Sequence, residues 1–330
     1  MSHELIPLLD RHAWEVALEG LRHPHAHTFP HVSAFHANRP DDTFLYVHRT
    51  EGGQVDVACP LARRGAPGEQ DVYTPYGFGG FATTGAAPSF ADEWRSFAAS
   101  QGWVASYVFQ NPALGAPPGL GSGAVHPAGT TYVLDLATPE HELLARMSSR
   151  RRAELRRWRE RDVDLTSDHE EVLAFLLATS DAFFDAREAA PVYRLTATSW
   201  EHLLGSPSVW CVAAREADGI IAASVFGESC GLVDYLFGIS RPGASSYSAP
   251  LVWEAVLHFA SAGASSLNLG GGIRPGDGVA EFKRRFGPAE LEMTSARLVH
   301  RPDAYGALCR RAGVEDDVSG FFPPYRRVWP

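Results

Sequence analysis

Cysteine is scarce in this 330-residue chain, and the four that it contains are scattered. None of them stands in the CxxC or CxH spacing that is typical of zinc sites and redox motifs. Most lie in apolar, strand-like stretches, which favours reduced side chains in a hydrophobic core. The four are Cys59, Cys211, Cys230 and Cys309.

Long apolar runs are absent too, and so are the familiar nucleophile motifs. No run approaches the roughly 18 residues of a membrane span, and the first residues lack the basic and apolar regions of a secretory signal. The chain has neither a G-x-S-x-G motif nor a P-loop. The net charge of −10 argues against general nucleic-acid binding. We therefore expect a cytoplasmic protein without a membrane span.

The positive charge that is present gathers in one segment. Eight arginines fall within the sixteen residues 146–161, and apolar periodicity predicts a single long helix over residues 143–161. Arginines at helical spacing repel one another, and guanidinium groups bind phosphate with bidentate geometry. The segment therefore indicates a phosphate site, with a solvated basic face as the alternative.

The strand pattern contains a weak internal repeat. The order hairpin, strand, glycine or proline turn, helix and strand occurs over residues 45–109 and again over residues 210–269. This repeat favours mixed α/β structure in two similar units, each a mixed β-sheet flanked by helices.

A histidine-rich stretch precedes the first copy. Metal binding is one interpretation, but no carboxylate or cysteine is placed to complete a site, and two prolines interrupt any regular face. We expect a loop with incidental histidines and no metal. The residues are His23, His25, His27, His31 and His36.

Glycine-rich segments follow a strand in each copy. The first, Pro75–Gly80, reads PYGFGG; the second, Asn268–Gly272, reads NLGGG and is extended by Gly276 and Gly278. Glycines let a backbone approach a ligand and expose its amides. The second is followed by the sequence FKRRFGP, residues 282–288, whose cations favour an anion or a developing oxyanion. A plain strand-to-helix turn with a solvated basic patch is the alternative.

Three of these segments resemble motifs of the Fem-type (FemAB-like) aminoacyl-tRNA-dependent transferases of the GNAT superfamily. The glycine triplet with FKRRFGP is similar to the family's Phe-Lys-x-x-Phe-Gly-Pro motif, and PYGFGG is similar to its Pro-Tyr-Gly-Tyr-Gly-Gly turn. Residues 147–157 resemble its Leu-Ser-x-x-x-Arg-x-x-Ile-Arg-Arg helix. The resemblance implies two fused GNAT-like domains, which we place at residues 1–140 and 141–330, the second beginning with the Arg-rich helix.

The resemblance also implies an activity. The expected enzyme moves an amino acid from aminoacyl-tRNA to the amine of a small peptide, natural-product or cell-wall-precursor acceptor, with or without phosphate, and forms an amide. Aminoacyl-tRNA is then a co-substrate, and we expect no cofactor. An acyl-CoA-dependent N-acyltransferase is one alternative, and a degenerate GNAT pair that only binds a ligand is another.

Two departures from related patterns bear on these alternatives. Ordinary GNAT acetyltransferases cradle the CoA pyrophosphate with a loop resembling [RQ]-x-x-G-x-[GA], whereas here Arg241 is followed directly by Pro242 and Gly243, which favours another donor. In bridge-forming Fem members the glycine turn ends in Asp. Phe81 stands there in this chain, so no carboxylate base is expected at that point.

Lys283 is the candidate catalytic residue. An ammonium between Phe282 and Phe286 and next to other cations is expected to have a lowered pKa and to stabilise the oxyanion of an attacked ester. A surface lysine lying over Phe286 is the alternative. The resemblance adds candidate substrate-binding residues, of which the helix arginines are assigned to phosphate: Tyr76, Gly77, Arg151, Arg152, Arg156, Tyr235, Asn268, Gly271, Phe282 and Arg285.

Overall fold

The computed structural model describes residues 1–85, 89–161, 163–272 and 277–327. Its helices are α1 (Arg11–Leu18), α2 (Phe29–Asn38), α3 (Phe90–Ser100), α4 (Glu140–Arg146), α5 (Ser149–Arg159), α6 (His169–Asp185), α7 (Ala197–Leu204), α8 (Ser248–Ser261), α9 (Gly278–Arg284) and α10 (Pro302–Ala312). Its strands are β1 (Ser2–Pro7), β2 (Asp42–Arg49), β3 (Val55–Arg64), β4 (Asp71–Tyr73), β5 (Ala82–Thr83), β6 (Ala105–Gln110), β7 (Val125–Asp135), β8 (Asp164–Thr166), β9 (Val209–Glu216), β10 (Gly219–Ser229), β11 (Leu232–Ser240), β12 (Ser266–Gly271) and β13 (Ala289–Val299).

The chain divides into two compact units. The first contains residues 1–32, 39–129 and the segment from Glu292 onwards; the second contains residues 33–38 and 130–291. This division differs from the predicted domains at 1–140 and 141–330. The C-terminal segment joins the first unit because β13 pairs antiparallel with β6, from Thr294 opposite Gln110 to Val299 opposite Ala105.

The first unit is built on strands in the order β1-β2-β3-β4-β6-β13, with β5 against β3. The β4–β6 pair is parallel, and the predicted hairpin is β2 with β3. Alternate residues of β2 face opposite sides, as the pleat requires. Tyr46 packs with Phe90 and Trp94 of α3, whereas Val47 packs with Trp14 of α1.

The second unit has the strand order β7-β12-β11-β10-β9-β8, and the predicted hairpin is β9 with β10. Strand β10 is buried on both faces, as its long apolar run suggests. Phe226 packs in a cluster with Leu155 of α5 and Val252 of α8, whereas Val225 packs with Leu176 of α6 and Trp200 of α7. Both units are mixed sheets flanked by helices, as predicted.

Two local predictions were wrong. The single helix predicted over residues 143–161 is broken between α4 and α5, because the Ser148 side chain caps α5 by accepting the Arg151 amide at 3.2 Å. The histidine-rich stretch is a short 3-10 turn followed by α2 rather than a loop. The predicted loop glycine Gly276 lies outside the described residues.

The strands β11 and β12 position the candidate site. They pair in parallel over three residue pairs, ending with Asp234 opposite Asn268. Strand β11 then continues to Ser240 along β10, where one extra residue, Leu236, forms a bulge between Tyr235 and Phe237. The two parallel strands therefore separate at their carboxyl ends, which is where α/β sheets bind ligands.

Among the described residues, no helix combines the length and the apolar character that crossing a bilayer requires.

Candidate functional site

The parallel pairing of β11 with β12 ends at Asp234, which the sequence analysis did not place among the site residues. Its side chain is 3% exposed, and Oδ1 accepts a hydrogen bond from Asn268 Nδ2 at 2.9 Å. Oδ2 is buried and has no hydrogen-bond partner among the described residues. Burial raises the pKa of Asp234 to about 7, although the hydrogen bond from Asn268 opposes the shift. A carboxylate with this pKa and a free oxygen is suited to general base catalysis.

Asn268 holds that carboxylate in place. Its Oδ1 accepts hydrogen bonds from the Gly270 amide, at 2.9 Å, and from the Thr131 hydroxyl of β7, so its Nδ2 is turned towards Asp234. Asn268 thus contacts Asp234 at the end of the strand pairing and fixes the orientation of its carboxylate.

Lys283 of α9 is bound to the end of β12, the strand that carries Asn268. It is the one lysine in a chain with 29 basic Lys and Arg residues. It is 8% exposed, and Nζ donates to the Gly271 carbonyl at 2.6 Å. Gly271 follows Asn268 by three residues, about 10 Å along a strand. Burial lowers the pKa of Lys283 to about 8, while Asp277 opposes the shift, so the direction predicted for this pKa is confirmed.

The cation between the two phenylalanines is Arg151, not Lys283. Its guanidinium carbon lies 4.8 Å from the ring centroid of Phe282 and 4.3 Å from that of Phe286. It also donates to the Phe282 carbonyl at 3.0 Å and pairs with Glu154. Arg151 is 2% exposed, and burial lowers its pKa to about 10. The phosphate role assigned to Arg151 was therefore wrong, because a ligand has no access to it.

The segment after α9 contacts the junction of α4 and α5 at two further points. The Ser148 amide donates to the Arg285 carbonyl at 3.0 Å. Gly287 has φ +70°, and a Cβ there would lie 2.4 Å from the Arg146 carbonyl oxygen. Two of the motifs behind the family resemblance thus form one packing contact, which we call the arginine clamp: Arg146, Ser148, Arg151, Phe282, Arg285, Phe286 and Gly287.

The side chains of the other predicted basic residues differ in their exposure and in their hydrogen-bond and ion-pair partners. Arg285 pairs with Glu281 at 3.1 Å and is partly exposed. Arg152 is exposed but donates to the carbonyls of Ala145 and Met147 at the end of α4. The Arg156 side chain is exposed and forms no hydrogen bond or ion pair with any residue that the structure describes. Arg156 therefore remains the best candidate for phosphate.

Tyr235 follows Asp234 in strand β11, beyond the last residue that pairs with β12. Its ring stacks on Phe226, with centroids 5.1 Å apart, and burial raises its pKa. Its hydroxyl occupies the place that a Cβ on Gly238 would take. The bulge in β11 thus directs Tyr235 along the strand rather than away from it.

In the first unit, the glycine turn is held by the histidine-rich stretch. His31 Nε2 donates to the Tyr76 carbonyl at 2.8 Å, and His27 Nε2 donates to the Gly80 carbonyl at 2.9 Å. Burial lowers the pKa of His27 to about 3 and that of His31 to about 4, so both rings are neutral at pH 7. Tyr76 is 37% exposed, and Gly77 at φ +133° leaves room for His31. These histidines are structural.

No family model and no curated protein matches the chain, but solved structures match most of its length. FemX is similar with a TM-score of 0.66 and 11% identity, over 93% of this chain and 99% of FemX. A Bacteroides thetaiotaomicron protein of unknown function gives a TM-score of 0.65 and 12% identity, over 91% and 99% of the two chains. L-PGS from Bacillus licheniformis gives 0.57 and 14%, over 86% and 90%. The predicted fold class is confirmed in its architecture: the chain is a mixed α/β protein of two compact units, each a mixed β-sheet flanked by helices, and it shares this fold with FemX.

Proposed function

We propose that this protein is a Fem-type aminoacyltransferase. It transfers an amino acid from aminoacyl-tRNA to the amine of a small acceptor, which is a peptide, a natural product or a cell-wall precursor. The observation that carries the proposal is the buried Asp234 carboxylate, with one oxygen free of partners among the described residues, at the point where β11 and β12 separate. The fold shared with FemX supports the same class of reaction.

The proposed reaction needs one base and one stabilised oxyanion. Asp234 removes a proton from the acceptor ammonium, and the amine attacks the ester carbonyl of the donor. The C–N bond forms first and gives a tetrahedral oxyanion. As this intermediate collapses, the ester C–O bond breaks, the ribose oxygen takes the proton held by Asp234, and the nitrogen gives its second proton to the freed Asp234 carboxylate, which releases it to solvent. Lys283 uses one of its three N–H groups on Gly271, and the others can stabilise the tetrahedral oxyanion.

The loop after β11 supports a donor other than CoA. Three of its amides already donate within the chain: Arg241 to the Ile221 carbonyl at 2.8 Å, Ala244 to the Arg241 carbonyl at 3.1 Å, and Tyr247 to the Ala244 carbonyl at 3.1 Å. Helix α8 then has Pro250, which lacks an N–H, in its first turn. These bonds and the missing N–H of Pro250 reduce the number of amides available to a pyrophosphate, which such loops bind through N–H groups.

The phosphate-binding role falls to α5. The Arg156 side chain is exposed on this helix and, within the described residues, is neither hydrogen-bonded nor ion-paired. We propose that it contacts a phosphate of the tRNA or of a phosphate-bearing acceptor, because guanidinium groups bind phosphate well.

Calorimetric titration tests the choice of donor. Acetyl-CoA should bind no more tightly than the millimolar range, whereas a stable 3′-aminoacylamino-adenosine, which mimics the charged tRNA end, should bind measurably. Asp234→Asn should retain the binding of the analogue, since the substitution keeps the shape of the side chain. Micromolar or tighter affinity for acetyl-CoA would instead favour the acyl-CoA-dependent alternative.

A further inference from the structure

Two histidines and a glutamate converge in the first unit, whereas Asp234 and Lys283 belong to the second. His3 lies on β1, His48 on β2 and Glu93 on α3. One potential ligand atom from each lies within 4.8 Å of the others. These residues are distinct from the histidine-rich stretch, for which the sequence predicted no metal.

Both histidine rings are oriented by neighbours through the same nitrogen. Asp56 Oδ1 lies 2.6 Å from His48 Nδ1, and the Tyr46 hydroxyl lies 2.8 Å from His3 Nδ1. The ring of His3 also stacks on Phe97, with centroids 4.7 Å apart. The Nε2 of His3 is therefore left for a ligand, and the Nε2 of His48 faces Glu93. A carboxylate on the far nitrogen of a histidine is the usual support of a metal-binding imidazole.

We propose that His3, His48 and Glu93 bind a divalent cation of the zinc type, with water as the fourth ligand. Two nitrogens and one carboxylate oxygen are ligands that Zn²⁺ prefers. Glu93 and Asp56 bring two carboxylates to the cluster, and a dication balances their charge.

The geometry requires a small adjustment. Glu93 Oε2 now lies 2.6 Å from His48 Nε2, at hydrogen-bonding distance. Two ligands of a tetrahedral zinc ion lie about 3.3 Å from each other, since each is about 2.0–2.1 Å from the metal. The Glu93 side chain is 23% exposed and can move by this amount. The ion would tie β1 and α3 to β2, so its effect is on the stability of the first unit.

Titration of untagged, chelator-treated protein with zinc chloride tests the proposal. Calorimetry should show one ion bound per chain, and Co²⁺ should give the intense visible absorption of a tetrahedral site. Glu93→Gln and His3→Ala should each weaken binding at least tenfold. Asp56→Asn, which disturbs only the orientation of His48, should weaken it by about 10–100-fold. The matched control is His12→Ala, because His12 is exposed on α1, and it should bind like wild type.

Thermal melting in the absence of metal identifies any variant that fails to fold. If Asp56→Asn unfolds, the near-isosteric Glu93→Gln and the strand-end His3→Ala still decide the question. Zinc should raise the melting temperature of wild type and of His12→Ala, but not of Glu93→Gln. The proposal is overturned if wild type binds no zinc, or binds it no more tightly than Glu93→Gln and His3→Ala do. The three side chains would then form a metal-free network around His48.

Discussion

At the scale of single residues, the proposed mechanism depends most on Asp234. We expect Asp234→Asn to lower kcat by roughly 10²–10⁴-fold, because the amide has the same shape but cannot accept the proton. In wild type, kcat should rise as the pH passes through about 7, where the carboxyl ionises. Steady-state rates measured across this pH range check both points. A variant with wild-type kcat would show that the base lies elsewhere.

The same carboxyl makes stability depend on pH. Its pKa is about 7 in the folded chain and near the ordinary value of 3.8 in the unfolded chain. Between these values the folded chain retains a proton that the unfolded chain releases, so the free energy of unfolding falls as the pH rises from about 4 to about 7. Urea denaturation should show this loss in wild type and a smaller one in Asp234→Asn. If the free energy of unfolding changed with pH in the same way in both proteins, the raised pKa of Asp234 would be contradicted.

Lys283 is predicted to have two separable effects. Lys283→Met should lower kcat by roughly 10²–10³-fold through loss of an oxyanion donor. It should also lower the free energy of unfolding by about 1–3 kcal/mol, because the partly buried Gly271 carbonyl loses its partner. Since Lys283 is the chain's one lysine, NMR of the reductively methylated protein gives one lysine signal, which should titrate near pH 8. Wild-type turnover in Lys283→Met would refute the oxyanion role.

At the scale of elements, helix α5 carries arginines with opposite expected roles. Arg151→Ala should lower the free energy of unfolding by roughly 2–4 kcal/mol, because it empties the space between Phe282 and Phe286 and leaves Glu154 only its longer ion pair with Arg150. Arg156→Ala should leave unfolding unchanged and raise KM for the phosphate-bearing substrate. The Arg156 effect should shrink as salt rises, since phosphate contacts are screened. A destabilised Arg156→Ala protein with unchanged KM would show that Arg156 has a structural role and does not bind phosphate.

The glycine turn of the first unit offers a matched pair of substitutions. Gly77→Ala should destabilise the protein by about 1–3 kcal/mol, because φ is +133° and the new Cβ would lie 2.6 Å from His31 Nε2. Gly79→Ala should be nearly neutral, because no atom lies within 4 Å of a Cβ at that position. Chemical denaturation of the two variants measures the difference. Equal stabilities would mean that His31 does not fix this turn.

Local sequence patterns predicted the elements better than the contacts between them. The apolar runs of β2 and β10 and the turns beside them are properties of neighbouring residues, so both hairpins were predictable. Helical periodicity treats all arginines of α5 alike, and the partner that singles out Arg151 is Phe282, which is distant along the chain. Asp234 did leave a signal, since it interrupts a buried apolar strand, where an ionisable group is costly.

At the scale of the whole molecule, the shared fold and the chemistry rest on different observations. Likeness to FemX at 11% identity establishes the arrangement of strands and helices. The proposed activity depends instead on Asp234, Asn268 and Lys283 of the second unit, whose contacts at β12 are a property of this chain. A fold of this kind hosts different donors, so the donor must be tested directly.

A competition between donors is that test. Aminoacyl-tRNA carrying a radiolabelled amino acid and tritiated acetyl-CoA are mixed with the protein and a panel of amine acceptors, including dipeptides and a nucleotide-linked cell-wall peptide. The account predicts that a labelled aminoacyl amide forms with wild type and is strongly reduced with Asp234→Asn, and that no tritium enters the product. A tritiated acetyl amide formed by wild type, without the aminoacyl product, would contradict it.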